Sequence, residues 1–399
     1  RSCKPKEWKC TADLAVYLTA PRSLKKASKA LLNVEVSKTV RDNLCGKTPE
    51  DIAEKGMTDE VRKYALMDSQ LCYDLWDWYH TRWPDSEQRL SKKNREDSRR
   101  GVQIDTELLT LGLEHLNQLL WTAGNLIPWD WDENKTPLSH KALRQECRKE
   151  GIDAPASLAQ DSQDCIKWEN KYGDTYPWIA AIRQWRRANI MHKRLRTIQT
   201  RLRPDGTFPF AIKYFGAHTG RFSGADGFNM QNMPRGENMG VDLRALFVPR
   251  SGKKLVIVDL AQIEARVILW LARDFKALEQ VKDGMSIYEA HAIQSMNWKP
   301  NGQKLKDVDL DLYQLAKARV LGLGFGCGSK RFKDVAKKMA GIDISMEQAV
   351  FNVQDFRASN LKIVKLWNDL QRSCAWSRGK NFDVELPSGR ELHYYNVRS

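Results

Sequence analysis

Between Met191 and Leu202 the apolar residues Met191, Leu195, Ile198 and Leu202 fall at i, i+4, i+7 and i+11, which predicts a helix with one apolar face and a polar remainder. Helical patterning extends over about 104–203, with Leu108, Leu109, Leu111, Leu116, Leu119 and Leu120 in one segment. Residues 1 to about 90 also read as mostly helical, with an apolar stripe through Val61, Tyr64, Ala65 and Leu71 to Leu75. Residues 91–100 are charged and lack a core pattern, so they read as a linker or an exposed helix start. From about 207 onward Gly and Pro become frequent, and strand and helix signals alternate. Leu255-Val256-Ile257-Val258 reads as a buried strand, followed by a helical pattern from Val267 to Leu271. Leu386-Pro387-Ser388-Gly389-Arg390 and then Leu392 to Tyr395 read as a hairpin turn and a strand. No internal repeat or low-complexity tract interrupts these blocks.

The charge balance points to a polyanionic partner. Over 399 residues, 65 Lys and Arg face 50 Asp and Glu, a formal charge of +15 with pI about 9.4. The eight cysteines are scattered without a CxxC pair, which disfavours a zinc site and a disulfide framework and makes reduced cytosolic thiols the expectation. No apolar run reaches membrane-spanning length, and no signal peptide opens the chain, which starts at Arg1 and reads as a fragment.

The basic residues are concentrated. Eight Arg or Lys and no acid lie between Arg183 and Arg203, among them Arg194 and Arg196. A merely solvated helix face would usually carry balancing carboxylates, so phosphate-backbone contact is the better reading. Next come Thr219-Gly220-Arg221 and then Asn229-Met230-Gln231-Asn232, a turn-rich stretch with an Arg and several amides. Such groups suit the minor groove, and equally a hydrogen-bonded loop.

Asp259 closes the expected strand, and Glu264 opens the helix after it. A carboxylate at a buried strand end needs a partner or a metal; a helix-capping Asp with a first-turn Glu is the ordinary alternative. Farther on, Tyr313, Lys317, Leu321 and Phe325 recur every four residues and form one helix face. A Lys beside apolar side chains can meet a triphosphate, or it can snorkel over a packed surface. Glycines at 322, 324, 326 and 328 cost a helix roughly 1 kcal/mol each, and close approach by a ligand or by DNA is one compensation. Their spacing makes no G-x-G-x-x-G or Walker A loop.

Asp259-Leu260-Ala261-Gln262-Ile263-Glu264-Ala265-Arg266 resembles the first palm motif of family A DNA polymerases, whose usual form is DYSQIELR. Arg221, Asn229, Gln231 and Asn232 match that family's TGR…LQNIP segment, which holds the primer–template, and Arg244 falls where the family carries an Arg. Lys317, Gly322 and Gly326 match the fingers helix, R-x3-K-x3-FG-x2-YG. Tyr313, Leu321 and Phe325 depart from it where the family has Arg, an aromatic and Tyr, in the manner of phage members; Arg319 replaces the missing Arg only if the helix turns.

The resemblance implies an α+β fold of right-hand polymerase architecture: the C-terminal part of an RNase H-like 3′–5′ exonuclease domain (1–90), a helical thumb (91–206), the first part of the palm (207–272), fingers (273–375) and a return to the palm (376–399). The implied reaction is template-directed attack of a primer 3′-hydroxyl on a dNTP, with two Mg²⁺ ions. Asp259 and the Leu260 carbonyl would ligate metal, and Glu264 would close the pocket against a ribose 2′-hydroxyl. Lys317 would bind the triphosphate, with Gln262, Ile263, Tyr313, Leu321 and Phe325 completing the nucleotide site. Arg194, Arg196, Arg221, Asn229, Gln231, Asn232 and Arg244 would hold DNA. In the front block, Tyr64 and Asp68 resemble the Y-x3-D motif of the proofreading exonuclease, but no D-x-E precedes them. The family's last palm motif, H-D-E, is absent from the 399 residues. The expectation is a monomeric, cytoplasmic DNA-directed DNA polymerase of DNA replication, of which the chain as given should bind DNA yet fail to polymerise by itself. A 3′–5′ exonuclease and a non-catalytic DNA-binding fragment are the alternatives.

Overall fold

The computed structural model describes residues 7–129, 137–159, 162–217, 219–282, 284–394 and 397. The chain divides into two compact units, Arg1–Val256 and Ile257–Ser399. Helices dominate both, with small antiparallel sheets, as an α+β fold requires.

In the first unit the helices Thr106–Asn125 and Pro177–Arg201 pack side by side. The expected stripe holds: Met191, Leu195 and Ile198 are buried against Leu109, Leu113 and Leu116, while Leu202 is half-buried just past the helix end. Leu108 and Leu111 lie on the outer face instead, because the sequence run of leucines is wider than the buried stripe. Gly112 lets the two helices approach: a Cβ there would stand 3.1 Å from Leu195 Cδ1. Asp105 caps the first helix by accepting from Leu108 N at 2.9 Å. A three-stranded sheet of β1 (Val102–Ile104), β2 (Thr207–Phe208) and β5 (Phe247–Val248), in the order β2-β1-β5, closes this core through Ile104 and Phe208. β3 (Ile212–Lys213) pairs with β4 (Ser223–Gly224). Residues 91–100 are no linker. They complete the helix Asp85–Arg100, whose polar face is used internally: Ser91 and Arg95 donate to Asp13, and Asn94 donates to Ile212 O.

The second unit is helical apart from the hairpin of β6 (Phe382–Glu385) and β7 (Glu391–Tyr394), which the Leu386–Arg390 turn joins as expected; Tyr395 lies outside the described residues. Its core gathers Leu269, Ile287, Ala316, Leu323, Phe332, Phe356 and Ile363 from seven helical segments.

The expected buried strand at Leu255–Val258 does not form. These residues are 52 to 91% exposed, and no described strand pairs with them. β-branched side chains favour extended backbone, but a strand needs a neighbour to satisfy its N–H and C=O groups, and none is supplied here.

Candidate nucleotide and nucleic-acid site

Asp259 and Leu260 follow that exposed run and are exposed themselves. The strand that was to bury the Asp259 carboxylate is missing, so its burial is not observed. Two residues later the backbone turns sharply. Gln262 adopts a left-handed conformation (φ 55°, ψ 30°) as the N-cap of the helix Ile263–Leu271. Its side-chain amide reaches across to the next helix start: Nε2 donates to Ser286 Oγ at 3.1 Å, and Oε1 accepts from Ile287 N at 2.9 Å. Gln262 thus supports the backbone at the foot of the helix Ile287–Ser295, which Ser286 and Glu289 already cap reciprocally.

Glu264 stands in the first turn and is exposed, as is Ile263. Tyr288 and Tyr313 meet edge to face with ring centroids 5.6 Å apart. Burial raises the pKa of both phenols. The neighbouring Tyr313 and the Glu264 carboxylate add to the effect on Tyr288, and the Glu289 carboxylate adds to it on Tyr313. A hydrogen bond between Tyr313 and Ser286 acts in the opposite direction. Gln262, Glu264, Ser286, Tyr288 and Tyr313 therefore form one polar-aromatic group, and Lys317 lies one turn beyond Tyr313 on the same helix. Ser286 and Tyr288 escaped the sequence reading. Their local signal was the capping box Ser286-x-x-Glu289, which speaks of a helix start and not of a site.

The four-residue repeat of Tyr313, Lys317, Leu321 and Phe325 does not make one face. The α-helix ends at Ala318, a π-turn occupies Arg319–Leu323, and Phe325 sits in the turn beyond, 57% exposed. The wider π-turn changes the angle per residue, so a four-residue repeat drifts. Leu321 packs half-buried against the core. Arg319 is turned inward instead of replacing the missing Arg: it is 3% exposed, pairs with Asp355 at 2.6 Å and reaches Asn352 Oδ1 at 3.5 Å. Gly322 is explained without ligand or DNA, because a Cβ there would meet Val335 Cγ1 at 3.0 Å.

In the first unit, Arg196 is exposed and Arg194 half-buried on the polar side of Pro177–Arg201. Arg183 leaves the basic face: it is buried and pairs with Glu169 at 2.9 Å, a carboxylate outside the acid-free run. Arg221, Asn229, Gln231, Asn232 and Arg244 are all exposed. The 229–232 stretch is a short 3₁₀ turn, which Asn229 caps by accepting from Gln231 N at 3.0 Å. Arg244 braces the loop by donating from Nε to Pro234 O and from Nη2 to Met233 O, both at 3.0 Å. The amides and guanidinium that read as groove contacts thus also hold their own loop.

Tyr64 and Asp68 are one turn apart on the helix Thr58–Tyr79, and a hydrogen bond to the Asp68 carboxylate raises the Tyr64 pKa. Among the described residues no three His, Cys, Asp or Glu gather where they could hold a metal. Mg²⁺ demands near-octahedral oxygen coordination; Asp259 and the Leu260 carbonyl offer two such ligands, so the described residues do not complete a magnesium site. No helix among them is long and apolar enough to cross a membrane.

The DNA polymerase of Bacillus phage SP02 is 25% identical over 461 residues, covering 98% of this chain and 68% of that protein. DNA polymerase I of Aquifex aeolicus is 29% identical over 235 residues, 58% of this chain and 38% of that one. The fold is similar to the POL domain of Pol1 from M. smegmatis, solved in complex with DNA primer-template and dNTP. The TM-score is 0.63 at 17% identity, over 95% of this chain and 63% of that one. The chain therefore spans less than two thirds of that solved chain and of the Aquifex protein. The model of DNA polymerase family A matches residues 159–392, more than half of the sequence, and the chain belongs to that family.

Proposed function

We propose that this chain carries the primer–template-binding and nucleotide-binding parts of a template-directed DNA polymerase that adds dNTPs to a primer 3′-hydroxyl. The observation that carries the reading is the basic face of Pro177–Arg201. Among the described residues only Arg183 of its run pairs with a carboxylate, so Arg186, Arg187, Lys193, Arg194 and Arg196 remain available for phosphates. The exposed Arg221, Asn229, Gln231, Asn232 and Arg244 would follow the duplex beyond that helix. In the second unit Lys317 would take the triphosphate, with Glu264, Ile263, Gln262 and Tyr313 beside the sugar and base, while Leu321, packed against the core, and Phe325, in the turn beyond, leave that face. Family A DNA polymerases are generally metal-dependent, and Asp259 with the Leu260 carbonyl is this chain's contribution to Mg²⁺ binding. We assign thumb, palm and fingers to 91–206, 207–272 and 273–375, an exonuclease remnant to 1–90, and a monomeric state in a reducing cytoplasm.

Fluorescence anisotropy with a labelled primer–template, titrated at several salt concentrations, tests the reading. Affinity should fall steeply with salt, and the double variant Arg194→Ala/Arg196→Ala should flatten the log–log slope by about 1.8, near 0.9 for each phosphate that no longer meets a cation. An affinity indifferent to ionic strength would sink the proposal.

A further inference from the structure

The first unit contains a second basic site that none of the residues assigned above uses. An open cleft of about 380 Å³ lies between the helix Asp85–Arg100, the first helix, Thr11–Tyr17, and the β3–β4 hairpin. At its base Asp13 is buried and accepts from Arg22 Nη1 at 2.6 Å, Arg95 Nη1 at 2.8 Å and Ser91 Oγ at 2.7 Å. One carboxylate between two guanidiniums leaves a local excess of positive charge. Arg95 spends only Nη1 on Asp13 and Ser91, so Nε and Nη2 can meet a ligand. Arg99 and Lys213 line the same cleft, are exposed, and form no ion pair among the described residues. Asp226 is the one further carboxylate on the described lining.

Two other features point to a ligand. The Ser98 hydroxyl, also on the lining, is buried without a hydrogen-bond partner. A buried orphan hydroxyl is unusual, and an anionic oxygen brought to this lining is an acceptor that would satisfy it. Phe210 forms part of the wall. Cations that track a backbone beside an aromatic ring are the elements by which proteins hold single strands, the phosphates on the cations and a base on the ring. The cleft is also open and far roomier than one phosphate group needs.

We propose that this cleft binds a single nucleic-acid strand, with its phosphates on Arg95, Arg99 and Lys213, one phosphate oxygen on Ser98, and a base against Phe210. The inference rests on the reading that the chain handles DNA. The test uses the full chain and a labelled single-stranded oligonucleotide, with anisotropy measured against salt. Arg99→Ala/Lys213→Ala removes no side-chain hydrogen bond or ion pair among the described residues and should lower the single-strand slope by about 1.4, near 0.7 per phosphate, while Ser98→Ala weakens binding without changing the slope. An unchanged slope in the double variant overturns the cleft assignment. If Arg194→Ala/Arg196→Ala still flattens the primer–template slope in that case, only this proposal fails. A parent chain that binds no DNA overturns both readings. Inorganic phosphate and pyrophosphate serve as competitors: displacement of the strand at concentrations near those of the oligonucleotide itself would reassign the cleft to a free anion and overturn the strand.

Discussion

Lowering the pH should loosen the Ile257–Ser399 unit through one histidine. His291, on the helix Ile287–Ser295, is 6% exposed, with its ring 5.4 Å from that of Phe356. It borders a cavity of about 30 Å³ among Ile268, Leu269, Val320 and Ile363, and its Nε2 has no hydrogen-bond partner. Burial, and secondly the charge of Arg319, lower its pKa from the usual 6.5 to about 3. In the unfolded chain the imidazole takes up its proton near pH 6.5, whereas in the fold it stays neutral down to about pH 3. The stabilisation is thus complete above pH 6.5 and is lost progressively as the pH falls toward 3. The limiting slope is about 1.4 kcal/mol per pH unit, so a step from pH 7 to pH 5.5 should remove about 1.3 kcal/mol. His291→Phe keeps a ring in the site and removes the titration. Hydrogen exchange of peptides from 287–295, corrected for intrinsic exchange rates, reads this unit alone. Comparison of the two proteins cancels the carboxylates that titrate in both. Equal losses of protection in wild type and His291→Phe would refute the reasoning.

Further outcomes follow from the same residues. Lys317→Ala should weaken dNTP binding roughly tenfold, the value of one charge-assisted hydrogen bond, with primer–template affinity unchanged; unaltered nucleotide titrations would remove Lys317 from the triphosphate site. Asp355→Ala should cost about 3 kcal/mol, since it strands the Arg319 charge, and the value stays at the low end because the Asp355 side chain is 34% exposed. Arg319→Met/Asp355→Leu should recover most of that loss in urea denaturation, and a double variant as unstable as Asp355→Ala would contradict the ion-pair account. Gly224→Ala should disrupt the 223–232 loop, because the new Cβ would fall 2.5 Å from the Asn229 amide group and 2.7 Å from its Cα. A cost of about 1–3 kcal/mol and faster exchange across that loop are expected; an unchanged melting temperature would show that the loop can give way.

The features legible in the sequence were those set by local periodicity and local chemistry. The spacing of Met191, Leu195 and Ile198 announced the buried side of a helix, because 3.6 residues per turn bring those positions onto one stripe. The Leu386–Arg390 turn announced its hairpin for a similar reason. The octet from Asp259 to Arg266 pointed to the family, because motif residues keep their order in the chain wherever they lie in space. Tertiary structure alone decided where side chains point once distant segments meet. Arg319 looked available until a π-turn rotated it onto Asp355, which lies 36 residues away. Arg183 looked like part of a phosphate-binding face until Glu169 of another helix took it. Gln262 belonged to a motif, yet its left-handed backbone and its clasp on Ile287 depend on a helix that starts 25 residues later. The run Leu255–Val258 shows the converse limit. Strand propensity belongs to the residues themselves, whereas a strand exists only where another backbone completes its hydrogen bonds.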